Sequence, residues 1–307
     1  PKLGLIATVA AGVTNMALDA LFIAGFHWGV AGAAIATVAA QLISTLGCFL
    51  YAFLKYPELR LHREDWRITR RDVTRHLIQG IPLGLQFSVL AIGIIVMQSV
   101  IVQFDTLGGE MVSNAAQNGF GAANKLNNLL MTPLNGLGAA MTSFTAQNLG
   151  AGDHARIKKG TVQALIIVWT MCLISIAAGL LLSRGGGYLY IFLSPDKVTA
   201  ETMRYGNTYL YVDLSLYLFL GFIFVVRNCV QGIGKPQFVL GAGAAELAAR
   251  VSVCLLLPPL NSDAPRAAVY ALCFADPFAW MAADAVLLVP FLRNIMKMDY
   301  RYLKGTM

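Results

Sequence analysis

The sequence predicts an all-α polytopic membrane protein with about eight transmembrane helices, and three observations carry that reading. Of the 307 residues, 57% are hydrophobic and only 13% charged, against about 25% charged in an average soluble domain. Several apolar stretches exceed the ~18–20 residues that cross a hydrocarbon core. Period-2 alternation is absent, which argues against an outer-membrane barrel. The opening segment lacks a basic n-region and a small-residue cleavage site, so it does not read as a signal peptide.

In chain order, turn signals and charges delimit spans at 3–26, 28–54, 77–104, 112–138, 160–183, 207–233, 237–257 and 267–292. Two stretches do not fit a straight crossing. Residues 112–148 would run about 55 Å at ~1.5 Å per residue, so a kink at Pro133 and an emergent end are expected. The polar stretch 196–206, "DKVTAETMRYG", is expected at the surface before its span begins. Pro82, Pro133, Pro277 and Pro290 interrupt spans, and the chain has 29 glycines. Transporters use such breaks, and membrane helices in general are enriched in both residues.

The net charge is +7, and its distribution gives an orientation. Most basic residues fall on one side: Lys2; Lys55, Arg60, Arg63, Arg67, Arg70, Arg71 and Arg75; Arg156, Lys158 and Lys159; Arg227 and Lys235; and Arg293, Lys297, Arg301 and Lys304. That side is cytoplasmic by the positive-inside rule, which puts both termini of the chain inside. Topology therefore accounts for the charge. No nucleic-acid partner is implied, and the lipid bilayer is the expected surrounding.

Site chemistry of the usual enzymatic kinds is nearly absent from the sequence. Cys48, Cys172, Cys229, Cys254 and Cys273 lie singly in apolar spans and read as small packing residues. His62, His76 and His154 fall in basic loops and His27 in an outer turn. "GAGAAE" at 241–246 lacks the third glycine and preceding strand of a dinucleotide site. No cofactor is indicated.

Polar residues inside the spans are more informative. In the fourth span, Asn114, Gln117, Gly121, Asn124, Asn128, Met131 and Asn135 recur at spacings of three or four, widened by Asn118, Lys125 and Asn127. Polar groups in hydrocarbon cost several kcal/mol unless satisfied. The face is therefore expected to look into the bundle or a wet cavity. Single amides read equally as interhelical glue; the whole stripe with a lysine reads as a pathway. The third span repeats the pattern with Gln79, Pro82, Gln86 and Gly93. In the seventh, Glu246 and Arg250 stand four apart, the favourable order for an intrahelical ion pair. The pair is expected to face the interior of the C-terminal lobe and to hydrogen-bond neighbouring helices, and exchanging the two charges is expected partly to recover what either single loss removes. A proton-linked Glu246 is the second reading.

A faint repeat organises the chain. Asn15 and Asp19, four apart, precede an outer turn and a small-residue helix; Glu246 and Arg250 do the same before 267–292. Residues 1–54 then read as the last two helices of an N-terminal lobe and 55–76 as a basic cytoplasmic linker. Residues 77–293 read as a complete six-helix C-terminal lobe and 294–307 as a cytoplasmic tail. Four further helices are expected upstream.

Five segments together resemble the multidrug and toxic compound extrusion (MATE) family over essentially the whole chain, matching its helices five to twelve. They are "TNMALDALFIAGFHWGVAGAAIAT" (14–37), "GIPLGLQFSVLAIGIIVMQS" (80–99), "AQNLGAGDHARIKKG" (146–160), "FVVRNCVQGIGKP" (224–236) and "CFADPFAWMAADAVLLVP" (273–290). The resemblance implies a twelve-helix, two-lobed transporter that exports cationic, amphipathic drugs in exchange for Na⁺ or H⁺ by alternating access. Family polar positions find counterparts in Asn15, Asp19, Gln86, Arg227, Asn228, Glu246 and Arg250. With Gln117, Asn124, Lys125 and Asn128 from the stripe, they form the expected substrate and ion pathway.

The family's coupling carboxylates lie in the first helix, or in the seventh and tenth. Here the span matching the seventh has no interior acid, and Asp213 in the tenth lies near the outer end. Na⁺ and H⁺ both stay open. Asp19 reads equally as a helix anchor, and Asp276 and Asp284 as structural or cleft-facing. The expected protein is a monomeric multidrug antiporter of the cell inner membrane. A lipid-linked saccharide flippase is the alternative, needing a basic cavity from Lys125, Arg227 and Arg250. A membrane-embedded enzyme is the second alternative and would need a convergent His, Cys or carboxylate cluster.

Overall fold

The structure is a computed structural model that describes residues 2–57, 68–107, 110–111, 113–260 and 265–297. Ten residues of the expected linker (58–67) and most of the expected tail (298–307) lie outside these, with Arg60, His62, Arg63, Arg67, Arg301 and Lys304. The side chains of Lys2, Arg75 and Arg266 are likewise not described. The fold divides into two compact units, Pro1–Val73 and Thr74–Met307.

In the first unit, α1 (Lys2–Asp19) continues into a π-helical stretch, Ala20–Gly25, and turns into α2 (Gly29–Lys55). His27 and Gly29, both at φ 56°, make the turn. The two helices pair antiparallel: Ser44 Oγ donates to Ala7 O (2.9 Å) and Asn15 Nδ2 to Thr37 Oγ1 (3.3 Å). Small residues at one-turn spacing, Gly32, Ala36 and Ala40, form the buried seam of α2. This is how membrane helices approach closely without a hydrophobic driving force. Phe22, Phe26 and Trp28 cluster at the turn, Phe22 and Trp28 with ring centroids 5.1 Å apart.

The second unit begins within α3 (Arg70–Gln103). The helix starts inside the stretch expected as linker because Thr69 and Asp72 cap it reciprocally: Thr69 N donates to Asp72 Oδ2 (3.1 Å) and Asp72 N to Thr69 Oγ1 (3.3 Å). A two-stranded hairpin, β1 (Thr106–Leu107) and β2 (Glu110–Met111), leads to α4 (Ala115–Gly150). Asn114 stands at the N-cap position, yet its side chain does not cap the helix. Buried Asp105 does, accepting from Ala116 N (2.9 Å), Gln117 N (2.9 Å) and Ser113 Oγ (2.9 Å). The helix carries Pro133 within its 36 residues, where a kink was expected.

Next come α5 (His154–Ser183), capped by Asp153, and a short α6 (Leu189–Phe192). Residues 200–206, expected at the surface ahead of a span, are the opening turns of α7 (Ala200–Ser215), capped by Thr199. After a 57° bend at Leu216 follows α8 (Tyr217–Gly232). Ser215 Oγ donates to Val212 O (2.7 Å) and Leu216 N to Asp213 O (3.2 Å), satisfying carbonyls that the break releases. Then α9 (Pro236–Leu260), α10 (Pro265–Cys273) and α11 (Ala275–Pro290) complete the unit, ending in a π-helical stretch, Phe291–Met296.

Within this unit α4 packs against α5, α7 and α8, and α11 against α9 and α8. At the α4–α7 crossing a Cβ on Gly119 would lie 2.5 Å from Thr202 O and 2.9 Å from Gly206 N. Only glycine permits that backbone approach. Among the described residues six helices are long and apolar enough to cross a membrane, and the bent α7–α8 pair adds a seventh. The count of eight from sequence included α4, which has the length but whose amides lower its hydropathy. The five cysteines are free, four of them buried.

Candidate functional site

The second unit holds a continuous polar chain inside its apolar core. One-turn spacing puts Glu246 and Arg250 on the same side of α9, and antiparallel packing brings α11 against them. Arg250 lies against Asp276: its Nη2 is 2.7 Å and its Nε 2.8 Å from Asp276 Oδ1. Glu246 Oε2 accepts from Arg227 Nη2 of α8 at 2.7 Å. The intrahelical contact, Arg250 Nη2 to Glu246 Oε1, is the longest of these at 3.4 Å. The i,i+4 pair expected from sequence is therefore present but secondary. Each charge has its closest partner on another helix, because side chains leaving α9 project toward α8 and α11 sooner than along their own axis.

The chain continues to α7. Tyr209 Oη donates to Asp276 Oδ2 (2.7 Å). One turn on, Asp213 accepts from Asn127 Nδ2 of α4 (2.8 Å). Asp213 is 0% exposed, and its second oxygen has no hydrogen-bond partner among the described residues. It stands three residues before the break in the α7–α8 pair. Two guanidiniums meet Glu246 and Asp276, and two further acids, Asp213 and Asp284, form no ion pair among the described residues. Isolated carboxylates in a dry core are strongly disfavoured, so such acids are suited to taking up a proton or a cation.

Sequence reasoning weighed Asp213 and Asp276 singly without joining them to Glu246 and Arg250, and missed Tyr209. The signals were legible: a Tyr-x-x-x-Asp turn in an apolar span, and an acid preceding Pro277. Gln86 of α3 is buried against α9, with its Cγ 3.0 Å from where a Cβ on Gly243 would stand. Gly93 makes room for Arg250 in the same way, its Cβ position being 3.0 Å from Nη1.

The stripe on α4 divides. Asn127 points into the core, whereas Asn124, Lys125, Asn128 and Asn135 are exposed on the other side. Asn128 Nδ2 donates to Asn124 Oδ1 (2.6 Å), and Lys125 Nζ sits 6.0 Å from the Phe192 ring centroid. Gln117, near the capped end, is half-buried. Asn228 donates Nδ2 to Phe224 O one turn back in α8 (2.7 Å) and ties α8 to α4 by accepting at Oδ1 from Thr142 Oγ1 (2.8 Å). Arg227 and Arg250 are both neutralised by acids and do not form a basic cavity. In the first unit, half-buried Asp19, one turn beyond Asn15, keeps one oxygen without a hydrogen-bond partner among the described residues.

Residues 80–256 match the MatE family model. The probable multidrug resistance protein YpnP of Bacillus subtilis is 31% identical over 243 residues, covering 74% of this chain and 48% of that protein. The multidrug export protein MepA of Staphylococcus saprophyticus is 22% identical over 303 residues, covering 97% and 62%. The chain thus spans about half to three-fifths of the length of these relatives. In fold it is similar to an outward-facing multidrug resistance MATE family transporter of the MOP superfamily, with a TM-score of 0.79 at 21% identity over 94% of this chain and 61% of the other. A MOP superfamily transporter from Pyrococcus furiosus superposes with a TM-score of 0.77, also at 21% identity and the same coverage.

Proposed function

The chain belongs to the MatE family, whose members are membrane transporters and not enzymes, and from that premise we propose that it acts in a secondary active multidrug exporter. The reading is an antiporter that exchanges amphipathic, cationic compounds for H⁺ or Na⁺ by alternating access, as a monomer in the cell membrane with both ends of the chain cytoplasmic. Its helices are assigned to the fifth to twelfth of twelve. The names of the curated relatives support the substrate class, and the basic segments flanking the spans support the orientation.

Asp213 carries the coupling part of the proposal. It is an acid with no exposed surface, held by a neutral amide beside a helix break, the kind of broken-helix position at which transporters bind ions. Exposed Asn124, Lys125 and Asn128 face the substrate route in this reading, with Gln117 at its end. Within the first unit, Asn15 and Asp19 are its proposed pathway positions. Gln86, Arg227, Asn228, Glu246 and Arg250 hold the frame around the ion.

The test is Asp213→Asn in the complete gene product, which keeps an oxygen for Asn127 to bond. Cells are loaded with a cationic dye, and efflux is followed across pH and Na⁺ concentration. Efflux should fall to the level of cells lacking the protein while membrane expression stays normal. Unchanged efflux with unchanged ion dependence would remove Asp213 from the coupling step.

A further inference from the structure

One acid in the core is used neither by the fold nor by the proposed coupling step. Asp284 lies on α11, eight residues beyond Asp276, and both its carboxyl oxygens are buried without a hydrogen-bond partner among the described residues. The antiparallel packing that sets Asp276 on Arg250 also sets Gly241 beside Val286, a Cβ there lying 3.7 Å from Val286 Cγ1. Asp284 therefore stands level with the turn of α9 just before Glu246. The charged groups within its electrostatic reach are Arg227 of α8 and Glu246 of α9.

Arg227 has its own unmet need. Its Nη2 is given to Glu246 at 2.7 Å, but its Nε is buried with no acceptor among the described residues. A guanidinium presents two edges to carboxylates, and here one edge is filled while the two oxygens of Asp284 have no donor among the described residues. Around them, Arg250 is engaged by Asp276, and Tyr209 and Asp213 of α7 face the Asp276 end of α11. Cys254 of α9 also lies toward that end, and Cys273 ends α10. Arg293 of the following π-helical stretch is exposed.

We propose that Asp284 is a proton-binding site that competes with Glu246 for Arg227. With the proton on, Asp284 is neutral and Arg227 stays with Glu246, locking α8 to α9. With the proton off, the carboxylate draws the guanidinium toward α11, and Glu246 is left with Arg250. The exchange changes which helices are tied together, and the departing proton leaves one negative charge more in the cluster, held against Arg227. Its placing within a transport cycle rests on the exporter reading; the site itself does not.

The experiment needs no transport. Dicyclohexylcarbodiimide modifies protonated carboxyls in apolar surroundings, and mass spectrometry of the peptide carrying Asp284 reports the modification in proteoliposomes from about pH 5 to 9. In the parent protein, Asp284 should be labelled at the acid end and lose label as pH rises. Glu246→Gln frees Arg227 for Asp284, so label should vanish about one pH unit or more earlier. Arg227→Gln should let it persist about one unit or more later. The parent measurement stands even where a variant fails to fold. Absence of label on Asp284 at every pH, or identical profiles in the parent and both variants, overturns the proposal. If the profiles shift as expected while Asp213→Asn pumps normally, the Asp284 site holds and the coupling assignment fails.

Discussion

Exchanging the charges of Glu246 and Arg250 is a sharp test of how the core is wired. If the intrahelical pair were the main contact, Glu246→Arg with Arg250→Glu would restore it and recover much of the folded protein. The geometry predicts the reverse. The exchange would put a guanidinium where Arg227 now meets Glu246 at 2.7 Å. It would also put a carboxylate where Arg250 now meets Asp276 at 2.7 Å. Even after relaxing to ~4 Å, each like-charge contact is worth about 4 kcal/mol at an effective dielectric of ~20, so the two together approach ~8 kcal/mol. Either single change to Gln removes one partner of a buried pair, at about 3–5 kcal/mol. Domain stability is ~5–15 kcal/mol. The singles should therefore survive with lowered thermal midpoints, and the exchange should not accumulate. Size-exclusion of detergent-extracted, fluorescently tagged protein gives both quantities. An exchanged protein that is monodisperse and melts above either single would refute the interhelical wiring.

Two further outcomes follow from α4. Asn127→Leu should leave Asp213 without its amide donor and lower stability by about 1–3 kcal/mol, whereas Asn124→Leu and Lys125→Leu should leave the thermal midpoint unchanged and reduce dye efflux; normal efflux by both exposed-face variants would take that face off the route. Asp105→Ala removes three hydrogen bonds from the start of α4 and should lower stability by about 2 kcal/mol, the upper range for a lost helix cap, read as a fall in thermal midpoint that Asn114→Ala does not reproduce.

The sequence made the helices legible wherever apolarity or a cap signals them. The spans emerged from composition, and the polar extensions of α3, α5 and α7 were announced by Thr69 with Asp72, Asp153, and Thr199. Hydropathy alone stops at the first charged turn, which is why those extensions were assigned to linker, loop and surface. The cap on α4 was hidden for another reason. Asp105 reaches its donors across a hairpin, eleven and twelve residues away, and no local pattern encodes that closure. On α4 itself, spacings of three and four grouped Asn127 with Asn124 and Asn128. A step of one residue turns the side chain by about 100°, enough to send Asn127 to Asp213 and Asn128 to the exposed face.

Partner choice in the core was the least legible part, and it bears most on function. Spacing along α9 shows that Glu246 and Arg250 can meet; it carries no information about Arg227 or Asp276, which reach them from helices 19 and 26 residues away in sequence. Had the two residues been a self-contained pair, they would have been dispensable, since two leucines insert into a membrane more readily. Their place in a chain that also holds Tyr209, Asp213 and Asn127, near an Asp284 with no ion pair among the described residues, gives a reason for retaining them. Two arginines neutralise two acids, and two acids remain over. A dry core does not keep such a surplus ionised, so each surplus carboxyl needs a proton or a cation, and that requirement is what a coupled exporter can turn into motion.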